Sequence, residues 1–268
     1  MPISPLSRRL LTPLAAVFFV ALCGPAAGRE AALALVLAID VSASVTPDSY
    51  VLQHEGIARA FASPPIARAI AALPGGIEAL VLEWSDPDKI AITVDWTPIA
   101  DRDGARAFAA AVRRTRRSSR GLTAIGPALL SAAAQFARMP QPAARRVVDL
   151  SGDGIANIGV KPARARDRLV AAGITINGLA ILTEEPGLEA YYRREVIGGP
   201  AAFVLAARTY GDFAAAMLKK LMQEIAQAAP LGRSGGMRFA FPPYNRFRQA
   251  WNVGWNSTAY SADFAQMQ

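Results

Sequence analysis

Histidine and cysteine are almost absent from the sequence, and this scarcity limits the chemistry that the chain can support. Its 268 residues include one cysteine, Cys23, and one histidine, His54. A disulfide framework and a thiolate metal site are therefore excluded, and catalysis based on histidine is disfavoured. His54 lies beside Glu55 on a helix predicted over 47–61, with Thr46 as N-cap and Pro47 at its first position, and we expect it to be a surface residue. Any active centre must be built mainly from oxygen atoms.

The composition is that of a folded protein with a basic charge balance. Hydrophobic residues make up 52% of the chain and charged residues 19%, which excludes a disordered or fibrous protein. The formal net charge of +8 suits anionic partners such as lipid headgroups or acidic envelope polymers. Arginines that are spread through the whole chain also explain this net charge without such a partner. The dense run of arginines between Arg113 and Arg120 is interpreted as a solvated helix end. No nucleic-acid recognition motif is present, so nucleic acid is not an expected partner.

The N-terminal segment has the pattern of a secretory signal peptide. Arg8 and Arg9 precede the apolar run 10–22, and the small residues that end at Gly28 fit a cleavage site. We therefore expect residues 1–28 to be removed and the protein to be periplasmic or secreted. An uncleaved anchor is the alternative and would give the only membrane contact, although the run is short for a span. A lipoprotein interpretation at Cys23 is disfavoured by Leu22, where a small residue is needed.

The body of the chain alternates predicted strands and helices. Nearly unbroken apolar runs such as 31–39 and 174–182 indicate strands that are buried on both faces. The turn at 85–89 joins the predicted strands 77–84 and 90–96, and it is short enough to make them antiparallel. The pattern predicts an α/β, Rossmann-like doubly wound fold. In it, a mainly parallel six-stranded sheet has one antiparallel edge strand, and helices cover both faces.

One boundary divides the chain after the signal segment. Residues 29–228 are long enough for one domain and show no internal repeat. Residues 229–268 differ, because glycine and proline interrupt any periodicity and eight aromatic residues are scattered among four arginines. We expect this C-terminal tail to be loosely attached and poorly ordered, with a partner-binding segment as the alternative.

Oxygen-bearing side chains gather after the predicted strands. The segment 40–44 reads Asp-Val-Ser-Ala-Ser directly after the first strand, Thr123 precedes a predicted helix, and Asp153 follows another strand. Carboxyl ends of parallel strands are where such folds bind ligands. Two carboxylates with three hydroxyls make a hard-oxygen shell that suits Mg²⁺, and Mn²⁺ equally. As an alternative, these hydroxyls and the Asp-Gly pair serve only ordinary turns.

The order and spacing of these residues resemble the metal-ion-dependent adhesion site of von Willebrand factor A domains, over roughly residues 31–228. A closer resemblance is to a family of uncharacterised bacterial exported proteins that contain this domain. It rests on the segments 52–56, 148–154 and 174–181 and on Tyr191-Tyr192.

The resemblance implies a non-catalytic adhesion or interaction module. The cation would be held by Asp40, Ser42, Ser44, Thr123 and Asp153. Its open position would accept an acidic residue from a protein partner, and Gly121, Gly152 and Gly154 would let the loops approach the ion closely.

Two alternatives remain for the function. One is a structural envelope protein whose site is vestigial or only stabilises the loops. The other is a Mg²⁺-dependent phosphotransferase of the haloacid dehalogenase type, with Asp40 as nucleophile. That mechanism needs a second acid two residues later, where Ser42 stands.

Overall fold

The computed structural model describes residues 30–229, which form one six-stranded sheet with helices on both faces. The predicted signal segment and C-terminal tail lie outside the described residues. The strands are β1 (Leu33–Asp40), β2 (Ile77–Trp84), β3 (Ile90–Ile99), β4 (Arg146–Gly152), β5 (Ile174–Ile181) and β6 (Val204–Ala207). The helices are α1 (Pro47–Ala62), α2 (Pro64–Ala71), α3 (Arg102–Arg113), α4 (Ile125–Gln135), α5 (Pro162–Ala171), α6 (Leu188–Tyr191) and α7 (Phe213–Ala228).

The strand order is β3-β2-β1-β4-β5-β6, and only β3 runs antiparallel to its neighbour. This confirms the predicted fold class, including the single antiparallel edge strand. The short turn after Trp84 returns the chain beside β2, whereas each parallel pair is joined by a helical crossover.

The core lies in two layers, one on each face of the sheet. Alternate residues of β1 face opposite layers: Leu35 and Leu37 pack with α1, α3 and α7, while Val36 packs with α4 and α5. Every residue of β1 is buried, which explains why the strand is an unbroken apolar run.

Helix α1 starts where the sequence predicts. The Thr46 hydroxyl accepts a hydrogen bond from the Ser49 backbone N–H at 3.1 Å, and Pro47 occupies the first turn. This cap fixes the point at which the chain leaves the β1 loop, which carries Ser42 and Ser44.

Three predicted elements differ in detail. The helix predicted over 188–196 is α6 followed by a π-helical turn, Tyr192–Val196, and the last helix begins with a 3₁₀ turn, Tyr210–Asp212. The strand predicted from Ala201 starts only at Val204, because Ala201 has a φ of 56°, which a strand cannot accommodate.

None of the helices within residues 30–229 is both long and apolar enough to cross a membrane.

Candidate metal site

The two predicted carboxylates lie at the carboxyl ends of two neighbouring strands in the middle of the sheet. Asp40 is the last residue of β1, and Asp153 directly follows β4, its parallel neighbour. The register places Ile39 opposite Ser151, so β1 and β4 end side by side at the carboxyl end of the sheet. Thr123 arrives from the segment that precedes α4. The topology therefore brings together residues that are far apart in sequence.

Hydrogen bonds connect four of the five predicted ligands. The Ser42 backbone N–H donates to Asp40 Oδ1 at 2.7 Å, and the hydroxyls of Ser42 and Ser44 lie 3.2 Å apart. The Ser44 hydroxyl donates to Asp153 Oδ1 at 2.6 Å. These contacts link the β1 loop to the end of β4 at the level of the predicted ligands.

The fifth predicted ligand, Thr123, lies beside this chain of contacts. Its hydroxyl oxygen lies 3.8 Å from the position that a Cβ on Gly154 would take. Its backbone is fixed by Asn157: the Thr123 N–H donates to Asn157 Oδ1 at 2.9 Å, and the Asn157 N–H donates to the Thr123 carbonyl at 3.1 Å. Asn157 was not predicted from the sequence as a site residue, and it holds the Thr123 loop to the Asp153 loop.

The carboxylates of the site are buried, and its serine loop reaches the solvent. Asp40 and Asp153 are fully buried, whereas Ser44 is exposed to solvent. Burial, with the charge of Asp153 as the second cause, raises the pKa of Asp40 to about 7. The charge of Asp153 opposes ionisation of Asp40, and a divalent cation would remove that repulsion.

The residues present fit a hard cation. Asp40 Oδ2 is buried, and no hydrogen bond of ordinary geometry reaches it from a described residue. A Cβ on Gly152 would lie 2.7 Å from this oxygen, so the glycine keeps the space beside it free. An unsatisfied buried carboxylate oxygen is costly, and hydroxyls together with carboxylates are the ligands that Mg²⁺ prefers. No three His, Cys, Asp or Glu side chains cluster in residues 30–229, so a cation site there depends on hydroxyl oxygens.

Two tyrosines lie beneath the carboxylates, and neither was predicted from the sequence to take part in the site. The Tyr210 hydroxyl donates to Asp153 Oδ2 at 2.8 Å within the buried interior. A Cβ on Gly152 would also lie 2.9 Å from the hydroxyl of Tyr192, which is fully buried. Burial and the nearby carboxylates raise the pKa of both phenols well above the ordinary range, so both hydroxyls stay protonated.

Arg117 holds the β1 loop in place. Its guanidinium donates to the carbonyls of Val41 and Ser42 at 2.7 Å each and to that of Val45 at 2.8 Å. A further bond reaches the Ser119 carbonyl at 2.9 Å. The expectation that this arginine run is a solvated helix end is therefore wrong for Arg117. Its planar fork of donors fits several carbonyls at once.

A buried contact between His54 and Glu83 supports the loop that carries Arg117, because Glu83 also accepts a hydrogen bond from the Ser118 backbone N–H. His54 is 4% exposed, so the sequence expectation of a surface residue is wrong. Its two ring nitrogens lie 3.0 Å from the Tyr50 carbonyl and 3.0 Å from Glu83 Oε1. Burial opposes ionisation of Glu83, but hydrogen bonds from His54 and from the Ser118 backbone outweigh it and lower its pKa. Both ring nitrogens thus have polar partners, and the contact with Glu83 ties α1 to the buried strand β2.

Asp149 lies apart from the candidate ligands. It is buried within β4, and its Oδ1 is 2.8 Å from Lys220 Nζ, which also contacts Glu224 Oε1 at 2.7 Å. Both ion-paired acids and the lysine have fully buried side chains. Asp149 thus belongs to a charged cluster between the sheet and α7.

Comparison with known proteins identifies a family and a fold. Residues 30–229 match the protein family described as "Protein of unknown function (DUF1194)". Comparison with curated proteins gives no match.

Solved structures with this fold include von Willebrand factor A domains. Proximal thread matrix protein 1 from the mussel byssus, in a structure with a zinc-occupied MIDAS motif, is 15% identical with a TM-score of 0.53. The match covers 74% of this chain and 48% of that one, so this chain spans about half the length of the mussel protein. A von Willebrand factor type A protein from Catenulispora acidiphila is 18% identical, with coverages of 74% and 43% and a TM-score of 0.53. The vWF domain of the type V pili tip protein Mfa5 from Porphyromonas gingivalis is 11% identical, with coverages of 77% and 99% and a TM-score of 0.53.

Proposed function

The chain belongs to the DUF1194 family and has the fold of a von Willebrand factor A domain, and we propose that it is a cation-dependent, non-catalytic interaction module. The cation would be Mg²⁺ or Mn²⁺. Its ligands would be Asp40, Ser42, Ser44, Thr123 and Asp153. The partner would be a protein that offers a carboxylate to the cation.

The observation that carries this proposal is the unsatisfied oxygen of Asp40. Oδ2 is buried next to the space that Gly152 leaves open, while the Ser42 N–H bonds the other oxygen of the carboxylate and the charge of Asp153 lies close enough to act on it. A bound cation would neutralise the paired carboxylates and offer a coordination position to an incoming anion. The protein's own residues would orient the ligands: Arg117 fixes the β1 loop, Asn157 fixes Thr123, and Tyr210 fixes Asp153.

The exposure of Ser44 supports adhesion rather than a purely structural ion. An ion that only stabilises loops needs no open face, whereas Ser44 lies at the surface above two buried carboxylates. The zinc-occupied MIDAS motif of the mussel protein and the pilus-tip role of Mfa5 are further support, at the level of a shared fold.

A catalytic role is disfavoured by the residue two positions after Asp40. The phosphotransferase mechanism needs an acid at that position, and Ser42 cannot protonate a leaving group in that way. Hydrolysis of a phosphoester that disappears in Asp40→Ala would contradict this part of the proposal.

The proposed location is the periplasm or the exterior of the cell. The N-terminal sequence supports it, with its pair of arginines, its apolar run and the small residues before Arg29. The test is to express the protein in a bacterium that exports it and to determine the N-terminus of the exported protein by mass spectrometry.

The site is tested by the signal of Mn²⁺ in electron paramagnetic resonance, because bound Mn²⁺ loses the sharp spectrum of the free ion. We expect the full chain to remove the free signal stoichiometrically. Ser44→Ala and Thr123→Val should weaken binding at least about tenfold, as the loss of an oriented ligand does. Ser49→Ala, a serine on α1 outside the ligand set, is the matched control and should bind as the parent protein does. Equal binding by all four proteins would overturn the ligand assignment.

A further inference from the structure

Within the part of the chain that the structure describes, most of the well-exposed large apolar side chains lie beside the candidate metal site. Four large hydrophobic residues are well exposed within residues 30–229: Val51, Leu122, Ile155 and Ile158. Three of them lie in the two loops that carry Thr123 and Asp153. Leu122 directly precedes Thr123, and Ile155 stands two residues after Asp153. Both are 47% exposed, and Ile158 is 36% exposed. We call these three residues the apolar collar.

The two loops that carry the collar are tied together. Reciprocal bonds between Thr123 and Asn157 join them, and in sequence Leu122 directly precedes Thr123 while Ile158 directly follows Asn157. The Leu122 N–H also donates to Asp86 Oδ1 at 2.9 Å, and the Ala156 N–H donates to the Tyr191 hydroxyl at 3.2 Å. Fixed backbones on both loops mean that little ordering entropy is lost when a partner covers the collar.

The segment that precedes the collar residue Leu122 is basic. Arg120 is exposed and reaches the Ala43 carbonyl at 3.2 Å, next to the two serine ligands. The segment 114–124 carries four arginines and no acidic residue. Beside Arg120 lies a depression of about 470 Å³, which is also lined by Lys89 and by the acidic residue Asp88. Lys89 is paired with Asp86, whereas Arg120 forms no ion pair with a described residue, so Arg120 is the open positive charge at this rim.

From this asymmetry we infer that the partner segment carries a single carboxylate flanked by apolar side chains, rather than a run of acids. The inference rests on the proposed function, since the carboxylate would be the group that meets the cation. Apolar neighbours of that carboxylate would cover Leu122, Ile155 and Ile158, and Arg120 would attract the negative charge of the segment. A polyacidic ligand would leave the collar in water and gain nothing from it.

The specificity is tested with a random peptide library displayed on phage and panned against the full chain in Mg²⁺, with elution by EDTA. We expect the enriched peptides to share one Asp or Glu with Leu, Ile, Val or Phe next to it. Enrichment of acidic runs without apolar neighbours, or no enrichment at all by a protein that binds Mg²⁺, would overturn the inference.

The collar is then tested by substitution with the best selected peptide. The double variant Leu122→Ser, Ile155→Ser should bind that peptide at least about tenfold more weakly while it binds Mg²⁺ as the parent does. Val51→Ser removes the exposed apolar residue on α1, outside the collar, and should leave both affinities unchanged. Unchanged peptide binding by the double variant would refute the collar while leaving the metal site intact. Absence of Mg²⁺ binding by the parent protein would instead refute the proposed function.

Discussion

The hydroxyl of Tyr210 donates to Asp153 Oδ2 at 2.8 Å, whereas Ser44 donates to the other oxygen of the same carboxylate. The two oxygens of Asp153 therefore have different partners: a surface serine on Oδ1 and a buried phenol on Oδ2. Tyr210 lies in the 3₁₀ turn between β6 and α7, so the connection from the last strand to the last helix reaches the candidate metal site.

Tyr210→Phe tests this contact. Without a bound cation, loss of the phenol leaves a buried carboxylate oxygen unpaired, which should lower the free energy of unfolding by about 1–3 kcal/mol. Saturating Mg²⁺ should reduce this loss, because the cation compensates the charge of Asp153. Urea denaturation of both proteins with Mg²⁺ and with EDTA measures the difference. A loss that is as large in Mg²⁺ as in EDTA would show that Tyr210 does not act on the metal site.

Arg117→Lys tests the support of the β1 loop. A lysine has one ammonium group and cannot bond the carbonyls of Val41, Ser42 and Val45 in the same geometry. We expect a loss of about 1–3 kcal/mol in the free energy of unfolding and weaker Mg²⁺ binding. Arg116→Lys, at an exposed neighbouring position, is the control and should change neither quantity. Similar behaviour of the two variants would contradict the role given to Arg117.

Two glycines of the Asp153 loop provide a matched pair. A Cβ on Gly152 would lie 2.7 Å from Asp40 Oδ2, whereas the nearest atom to a Cβ on Gly154 is 3.8 Å away, an ordinary contact. Gly152→Ala should therefore displace the Asp40 carboxylate and weaken Mg²⁺ binding strongly, and Gly154→Ala should bind nearly as the parent does. Calorimetry distinguishes the two, and the reverse order of effects would contradict the geometry of the site.

The buried cluster around Lys220 predicts a pH dependence of stability. Burial raises the pKa of Asp149 from the ordinary value of 3.8 to about 7, against the opposing charge of Lys220. The folded protein thus keeps a proton that the unfolded chain releases, so this contribution to stability is lost as pH rises through about 4 to 7.

Asp149→Asn removes this titration, and its stability should fall less between about pH 5 and about pH 8 than that of the parent protein. Both proteins are to be denatured in EDTA, so that metal binding does not contribute. Parallel pH profiles for the two proteins would contradict the assignment.

Much of the fold and the proposed ligand set could be predicted from local sequence. Buried parallel strands leave unbroken apolar runs, and Pro47 after Thr46 marks a helix start. Asp40 and Asp153 could be expected at one edge, because the carboxyl ends of parallel strands share it.

The supporting residues could not be predicted, because their partners are distant in sequence. Tyr210 is 57 residues from Asp153, and Arg117 is 72 to 76 residues from the carbonyls of the β1 loop that it binds. His54 looked like a surface residue because nothing near it in sequence reveals Glu83, which reaches it from the buried strand β2. Only the packed structure brings such pairs together.

The proposed function depends above all on the binding of a divalent cation by the five oxygen-bearing residues. Calorimetric titration of Mg²⁺ into the full chain tests this most directly, with Asp153→Asn as the test variant and Asp95→Asn, at an exposed position of the edge strand, as the control. We expect saturable one-to-one binding by the parent protein and by Asp95→Asn, and its loss in Asp153→Asn. No binding by the folded parent protein, or unchanged binding by Asp153→Asn, would contradict the proposed metal site.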